Sequence, residues 1–528
     1  MKDLIDKLYS LGIHISLVGQ ELKIKFNGSE INKDIIQEIK DNKQFLIHYL
    51  TELNLSDNIK NILPSRVQSC YDLSLSQKGL WLVQFIGGGN AYNMSGIYTI
   101  TGTLNIEILT RAFQELINRH EILRTIFKED TDGEIKQWIK DSSVQEFSIN
   151  FHDISKESDQ ERIISSLTGF EIKKEFNLSS DILFRVQLLR LSADVYIITF
   201  VMHHIIGDGW SFEILIRELS VLYNSFLSGK PNPLIPLSIQ YKDYVLWQNA
   251  QVTNSSYKIH SQYWIDKFKN GIPLLDISKK IRPNEYSFNG NTILIELSKE
   301  RTSSVLQLTD SFQGTLFTSL LFFVKILIFK YTKNNKIMVG ASFGGRNHHQ
   351  LEDQIGLYVN NLPIITSLND DLSLEDLYFV IKNEVIDLIA HQAYPLEFVL
   401  NDINYKRDKS RPGLYNIQVQ FNDNEEESSE GFDGFKFEPF INSNGASIFD
   451  LSFEGKMKKN SIEISLIYNT DLFDFDEIQL MKERFLGLID VIKTNFKDDF
   501  KIGSIDVNDM FGTYQSPDNL LFDMNENF

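Results

Sequence analysis

The sequence has 528 residues and is poor in cysteine and in positive charge, and each shortage excludes a class of protein. It contains one cysteine, Cys70, so neither a disulfide framework nor a thiolate metal cluster can form within the chain. Lys and Arg number 52 against 71 Asp and Glu, which gives a net charge of −19. A protein this acidic is repelled by nucleic-acid backbones, and we exclude phosphate-backbone binding as its main function.

Long apolar segments are also missing. The N-terminus is charged at Lys2, Asp3 and Lys7 and lacks the apolar core of a signal peptide. The most apolar stretch, residues 316–329, is too short to span a bilayer and carries Lys325 in its middle. We therefore expect a buried helix there and a cytoplasmic protein.

Residues 1–52 have the pattern of a small unit of their own. Apolar residues alternate over 13–17 and again over 22–26, with turn-forming residues between them, which predicts a β-hairpin. Helical patterns lie on both sides of this hairpin. An unpaired hairpin edge can accept a strand from another chain, so the unit is a candidate docking domain.

The rest of the chain has three parts. Residues 53–67, which include Pro64, predict a linker. From about 68 to 505, apolar strand-like runs alternate with amphipathic helical patterns, which favours a mixed α/β (α+β) fold. Residues 506–528 contain five acidic residues and no Lys or Arg, which predicts an acidic tail.

The sharpest local signal is HHIIGDG at residues 203–209. The apolar run before it predicts a buried strand, and Gly207 and Gly209 predict a turn at the end of that strand. Ser211 is the expected cap of the following helix. Neighbouring residues on a strand point to opposite faces, so one histidine can face a cleft while the other packs.

Three roles fit these histidines. They could form a hydrogen-bonded pair in the core. A metal site could use His204 and Asp208, completed by His348 and His349, but that spacing needs a helix and the two glycines argue against one. In acyl transfer, an imidazole that titrates near neutrality could accept a proton beside a reacting amine. The spacing by itself favours the structural role.

Other motifs accompany this one, and together they resemble the condensation domains of non-ribosomal peptide synthetases, whose signature is HHxxxDG followed by WS. They occur in the family's order along the chain. The matching segments are 75–82 with Tyr92-Asn93 (SxxQxxLWxL and YN), 119–127 (RHExLRTxF), 241–248 (YxDYxxWQ), 355–361 (IGxFVNT, with Tyr358 for Phe and Asn361 for Thr), 391–397 (HQDxPFE) and 407–411 (RDxSR).

The resemblance implies a fold and a reaction. The fold would be two chloramphenicol-acetyltransferase-like lobes, 68–235 and 236–505, in a V-shaped pseudo-dimer. The amine of an acceptor aminoacyl-carrier would attack the thioester of a donor acyl- or peptidyl-carrier and form an amide bond. Both substrates would arrive on the 4′-phosphopantetheine arms of partner carrier proteins, and the chain itself would bind neither a cofactor nor a metal.

The resemblance also implies roles for individual residues. His204, the second histidine of the motif, would be the catalytic residue, with His203, Asp208 and Gly209 completing the catalytic motif. Arg346 is the expected partner of the Asp208 carboxylate. Three further residues are expected to support the site: Arg119, Arg124 and Asn360.

The remaining features bear on the subtype. The DxxxxD signature of heterocyclisation relatives is absent, and the opening SxxQxxLW element, which epimerisation relatives usually lack, is present. These observations predict a condensing domain, and the RDxSR element weakly favours the subtype that accepts an L-configured donor. Two alternatives stay open: an acyltransferase of the same superfamily with a soluble acyl donor or a free amine or alcohol acceptor, and a non-catalytic docking platform.

Residues 1–52 resemble the β-hairpin docking domain of the tubulysin-synthetase type. That family captures a short acidic peptide at the C-terminus of the upstream synthetase, and Lys23 and Lys25 are the expected contacts here. The acidic tail of this chain, with Leu521 and Phe522, has the composition that such a hairpin accepts. We therefore expect an upstream partner at the N-terminus and a downstream docking domain at the tail.

Overall fold

The structure is a computed structural model that describes residues 13–18, 21–26, 40, 42–43, 46, 61–84, 89–141, 147–252, 257–422, 431–440, 445–458, 461–496 and 500–505. The chain divides into two compact units, Met1–Leu63 and Pro64–Phe528.

The first unit contains the predicted hairpin. Strands β1 (Ile13–Val18) and β2 (Glu21–Phe26) pair antiparallel, with Lys23 opposite Ser16 and Lys25 opposite His14. The helices predicted on either side lie almost entirely outside the described residues, as does the whole acidic tail.

The second unit contains eleven α-helices and fourteen strands among its described residues. The helices are α1 (Leu75–Gln84), α2 (Ile106–Arg119), α3 (Gln160–Lys173), α4 (Gly209–Leu227), α5 (Tyr241–Val252), α6 (Tyr257–Phe268), α7 (Lys299–Ser311), α8 (Leu316–Thr332), α9 (Leu374–His391), α10 (Leu396–Asp402) and α11 (Phe475–Asn495). The strands are β3 (Tyr71–Asp72), β4 (Asn93–Gly102), β5 (Thr125–Glu129), β6 (Ile135–Ile139), β7 (Asn150–Asp153), β8 (Phe184–Arg190), β9 (Val195–His203), β10 (Gly290–Glu296), β11 (Lys336–Phe343), β12 (Asn360–Ser367), β13 (Ile417–Asn422), β14 (Phe435–Pro439), β15 (Leu451–Lys458) and β16 (Ser461–Asn469).

These strands form three sheets. A five-stranded sheet has the order β14-β4-β9-β8-β7, a six-stranded sheet the order β10-β16-β15-β13-β11-β12, and a small sheet the order β3-β6-β5. Both large sheets contain parallel as well as antiparallel pairs. The predicted mixed α/β fold is therefore confirmed.

One strand crosses the predicted boundary between the lobes at residues 235 and 236. β14 comes from the later part of the chain, yet it pairs with β4 and completes the edge of the five-stranded sheet. Tyr98 of β4 stacks on Phe437 of β14 with ring centroids 4.3 Å apart. An open sheet edge is exposed to unwanted pairing, and this strand covers it.

The apolar stretch at residues 316–329 lies within α8, a buried helix as predicted. The Lys325 ammonium is fully buried and donates hydrogen bonds to Thr366 Oγ1 (2.6 Å) and to the carbonyl of Ile364 (3.0 Å). Burial lowers the pKa of Lys325, and the nearby Glu384 opposes that shift. These polar contacts explain how a charged residue is accommodated in the core.

In the described part of the chain, no single helix combines the length and the apolar character needed to cross a bilayer. The helices α7 and α8 meet both criteria only as a pair, and they are bent by 105° at the break between them.

Candidate active site

The HHIIGDG motif joins β9 to α4. β9 is buried along almost its whole length and ends at His203, a 3₁₀ turn follows at His204–Ile206, and α4 begins at Gly209. A continuous apolar run produces such a strand because both of its faces are covered. The motif therefore lies at the junction between a core strand and the first turn of a helix.

The two histidines have different environments. His203 is 1% exposed, its Nδ1 accepts a hydrogen bond from the backbone N–H of Ile205 (3.1 Å), and its ring meets the edge of Phe176. Burial, with a smaller contribution from His204, lowers the pKa of His203 to about 3, so its ring is neutral. His203 was predicted as part of the catalytic motif, but the structure places it in the core, where it holds the turn.

His204 is partly exposed. Its backbone N–H donates to the carbonyl of Tyr92 (2.8 Å), and its ring lies edge-on to the Tyr92 ring, with centroids 6.5 Å apart. Burial is the largest effect on the pKa of His204 and lowers it, while the Asp208 carboxylate and the backbone of His204 and Gly207 act in the opposite direction. A neutral imidazole in this position can accept a proton.

The Asp208 carboxylate is the most highly connected group of the motif, and it is 3% exposed. Its Oδ1 accepts from the Ser211 N–H (2.9 Å), the Ser211 hydroxyl (2.8 Å) and the Arg346 guanidinium (2.8 Å). Its Oδ2 accepts from the backbone N–H of Tyr358 (3.1 Å), and the guanidinium lies over the Tyr358 ring. The structure thus brings Asp208 and Arg346 together.

Asp208 is also the N-cap of α4, where Ser211 had been expected. The helix starts earlier than predicted, so Ser211 occupies its third position and completes a capping box with Asp208. The Ser211 hydroxyl also accepts from the Gly356 N–H (3.2 Å). The start of α4 is therefore fixed to residues 344–359, the β11–β12 connection.

The two glycines of the motif serve different purposes. A Cβ atom on Gly207 would collide with the sulfur of Met202, so this position has no room for a side chain. A Cβ atom on Gly209 would meet no atom within 4 Å. Gly209 is the exposed first residue of α4, and backbone N–H groups in the first turn of a helix lack partners within the helix. The Ser211 N–H donates to Asp208, so the N–H groups of Gly209 and Trp210 are the first-turn donors that no helical carbonyl accepts.

Two buried polar residues that sequence reasoning did not assign to the site bind the backbone of the turn and of the β11–β12 connection. The Gln77 side chain is fully buried and donates from Nε2 to the carbonyl of Ile205 (3.0 Å). The Tyr241 hydroxyl donates to the carbonyl of Leu357 (2.8 Å) in the β11–β12 connection. Both belong to the matched motifs at 75–82 and 241–248, and membership of those motifs was the signal that could have found them.

The three residues predicted to support the site bond to parts of the chain outside the HHIIGDG motif. Arg119 pairs through Nε with Glu218 of α4 (3.0 Å), so it acts on the helix that follows the motif. Arg124 donates to the carbonyl of Lys140 (2.9 Å). Asn360 donates to the carbonyls of Gln392 (2.8 Å) and Tyr394 (2.9 Å). The hydrogen bonds of Arg124 and Asn360 thus stabilise their own surroundings rather than the HHIIGDG motif.

The structure does not support the alternative of a metal site at the histidines. His348 stacks on His349, with ring centroids 4.6 Å apart. Within the described ranges, no group of three His, Cys, Asp or Glu side chains is arranged to hold a metal ion.

The sequence matches the family model described as Condensation domain over residues 67–501. It is 31% identical over 514 residues to gramicidin S synthase 2 of Brevibacillus brevis, a match that covers 95% of this chain and 11% of that protein. Bacitracin synthase 1 of Bacillus licheniformis is 30% identical over 438 residues, which cover 83% of this chain and 8% of that protein. The chain therefore spans only a small part of the length of these relatives.

Solved structures share the fold. The X-domain from teicoplanin biosynthesis has a TM-score of 0.75 and 19% identity, and the match covers 84% of this chain and 99% of that chain. The first condensation domain of the calcium-dependent antibiotic synthetase, in complex with a substrate analogue, has a TM-score of 0.70 and 17% identity over 83% of this chain and 99% of that chain.

The Asp208–Arg346 pair can be tested by Arg346→Met. Removing the guanidinium leaves a buried carboxylate without its cation, and we expect a loss of about 3 kcal/mol in the free energy of unfolding. Urea denaturation would measure it. Asp208→Asn in the same background should recover part of the loss, because the effects of contacting residues are not additive.

Arg217→Met is the matched control for this experiment. The Arg217–Asp353 pair joins the same two elements at 2.6 Å, but its side chains are 55% and 66% exposed. An exposed pair contributes about 0–1 kcal/mol. If Arg346→Met costs no more than Arg217→Met, the buried pair does not stabilise the junction.

Proposed function

We propose, because this chain belongs to the condensation-domain family of non-ribosomal peptide synthetases, that it forms an amide bond between two carrier-bound substrates. The observation that carries the proposal is the placement of His204. Its neutral ring belongs to a partly exposed residue that directly follows a buried strand, in the short turn that leads into α4.

In the proposed reaction the acceptor amine attacks the donor thioester carbonyl. A carbon–nitrogen bond forms, the carbon–sulfur bond breaks, and the proton lost by the amine ends on the departing thiolate of the donor arm. Free α-amines have a pKa of about 7.7–8.0, so a sizeable neutral fraction exists without a strong base. His204 would therefore orient the amine as well as accept its proton.

The oxygen of the tetrahedral intermediate carries negative charge and needs donors. The N–H of Gly209 is suited to this because its position leaves space where a side chain would otherwise stand. Asp208 and Arg346 would act as positioning residues that hold His204 and the start of α4 in register.

His204→Ala tests the reaction directly. A donor-loaded and an aminoacyl-loaded carrier protein are mixed with each variant, and intact-mass spectrometry follows transfer of the donor to the acceptor carrier. We expect the wild type to transfer and His204→Ala to be slower by at least about 100-fold, since positioned acid–base groups contribute about 10²–10⁴-fold.

The control is His152→Ala, which removes a histidine from β7, two strands away from β9 in the same sheet. It should transfer like the wild type. Undiminished transfer by His204→Ala would show that His204 is not catalytic. Transfer to free amines but not to carriers would instead support a soluble-substrate acyltransferase.

We further propose that the hairpin of the first unit binds an acidic peptide from an upstream synthetase through Lys23 and Lys25. Lys23→Glu/Lys25→Glu should weaken that binding about tenfold in calorimetry, because two attractive charges become repulsive. Lys40→Glu/Lys43→Glu makes the same change of charge at exposed positions of the same unit outside the hairpin, and it should bind normally. Equal affinity of both double variants would refute the contact assignment.

The acidic tail is proposed to bind the hairpin docking domain of a downstream synthetase. Deleting residues 515–528 should weaken this binding at least about tenfold, measured by calorimetry. The full-length Asp518→Asn/Asp523→Asn/Glu526→Gln variant separates charge from length and should lose most of the salt-dependent part of the affinity. An unchanged affinity after the deletion would remove the tail from the interface.

A further inference from the structure

One face of the six-stranded sheet packs on α8. A Cβ atom on Gly455 would lie 3.1 Å from Leu320 of α8, and Phe453, on the other side of Glu454, is fully buried. Side chains alternate along a strand, so Glu454 projects from the opposite face. The Glu454 carboxyl group therefore lies on the side of the sheet away from α8.

A row of polar side chains crosses this face, perpendicular to the strands. Asn361 lies opposite Ser342 on the neighbouring strand, and the Ser342 hydroxyl lies 3.4 Å from Gln420 Oε1. Gln420 in turn lies opposite Glu454, and Glu454 lies opposite Ser465. All five residues are partly buried. We call Asn361, Ser342, Gln420, Glu454 and Ser465 the polar row. Its partial exposure leaves these polar groups within reach of a ligand.

The polar row begins next to the active site. Ser342 and Asn361 lie at the two ends of the β11–β12 connection, which carries Arg346 and Tyr358, the residues that bind Asp208. Neighbouring strands are about 4.8 Å apart, so Glu454 lies roughly 14 Å across the sheet from Asn361. A chain bound beside His204 can extend along this face.

Tyr92 and Tyr415 lie in the region between His204 and the same face, and they interact electrostatically. The Tyr92 ring meets the His204 ring, and Tyr92 is within electrostatic reach of Tyr415, whose pKa is raised chiefly by burial. Tyr415 and Gln418 both cover Gly340 on the polar face. Gln418 is 4% exposed, and its Oε1 accepts no hydrogen bond from any described residue. This face therefore offers an unused acceptor.

Glu454 has no salt-bridge partner among the described residues. Its neighbouring hydrogen-bond partner is the Gln420 side chain, and burial raises the pKa of Glu454 to about 6. The closest basic residue on its own strand and face, Lys456, pairs with Glu463 (3.0 Å). A half-buried carboxylate without a cation is unfavourable, and a cation from outside the chain would relieve it.

We propose that the polar row lines the path of the bound substrate and that Glu454 selects a substrate whose side chain carries an amine or a guanidinium. This inference rests on the proposed amide-forming function and adds the class of substrate to it. The basic side chain belongs to the donor or to the acceptor, and the two arms of the experiment separate these sources.

The test is a competition between lysine and norleucine, which have side chains of similar length and differ in charge. One arm loads the pair on the donor carrier and the other arm on the acceptor carrier, and intact-mass spectrometry gives the ratio of products. Charge-assisted hydrogen bonds discriminate by about tenfold or more. We expect the wild type to prefer lysine by about that factor in one arm, and Glu454→Gln to lose the preference.

Glu463→Gln is the matched control. It removes a carboxylate from the same face of the sheet, but one that Lys456 and Lys458 already neutralise. This variant should keep the preference for lysine. The preference should also fall as the pH is lowered from about 8 to about 5, because Glu454 becomes protonated near pH 6 while lysine stays charged.

A thermal scan would check that Glu454→Gln is folded. A carboxyl group whose pKa is raised in the folded state destabilises the fold when it ionises, so the variant should melt above the wild type at about pH 8, with a gap that narrows towards about pH 5.

The outcomes separate the two proposals. If the wild type transfers both substrates equally in both arms, or if Glu454→Gln leaves the ratio unchanged, the inference about Glu454 is wrong and the proposed function stands. If the wild type transfers neither substrate from any carrier, the proposed function fails. Calorimetry with non-hydrolysable lysyl- and norleucyl-pantetheine thioethers then decides, because equal affinities would overturn the selection of a basic side chain.

Discussion

The position of the active site depends on the buried Asp208 carboxylate. A buried carboxylate is stable only when its oxygens are well supplied with donors, and four hydrogen bonds satisfy Asp208. Two come from Ser211 in the first turn of α4, and two come from Arg346 and Tyr358 in the β11–β12 connection. The same group therefore caps the helix and joins it to the later part of the chain. His204 lies four residues before Asp208, in the turn that this carboxylate ends.

At the end of β9, two adjacent histidines have opposite environments. His203 faces inward, where burial keeps it neutral and the Ile205 N–H fixes its ring. His204 begins the 3₁₀ turn and stays partly exposed. Gly207 permits this turn because a side chain there would strike Met202. The His204 ring is thus positioned by the backbone of the turn, while the buried His203 ring stabilises that turn.

Several buried charges in the second unit are paired with an opposite charge, whereas Glu454 is not. Glu218 of α4 receives Arg119 and His120, and Lys325 is surrounded by carbonyl groups, Thr366 and the nearby Glu384. Such networks fix helices against their neighbours. Glu454 lies on a half-open face, where the described residues supply it with no cation. A carboxylate that has a hydrogen-bond partner but no cation in its surroundings is suited to recognising a positively charged ligand.

Local pattern determined much of this protein. The order of motifs predicted the family and the mixed α/β fold, and alternation predicted the hairpin and the buried helix around Lys325, because these features depend on residue type and short spacings. Only the tertiary structure decided that Asp208 rather than Ser211 caps α4, that Arg124 and Asn360 bond elsewhere, that β14 completes the five-stranded sheet, and that Glu454 continues a row from the active site. These contacts join segments far apart in the chain, and their free energy depends on strand order and packing that no local pattern contains.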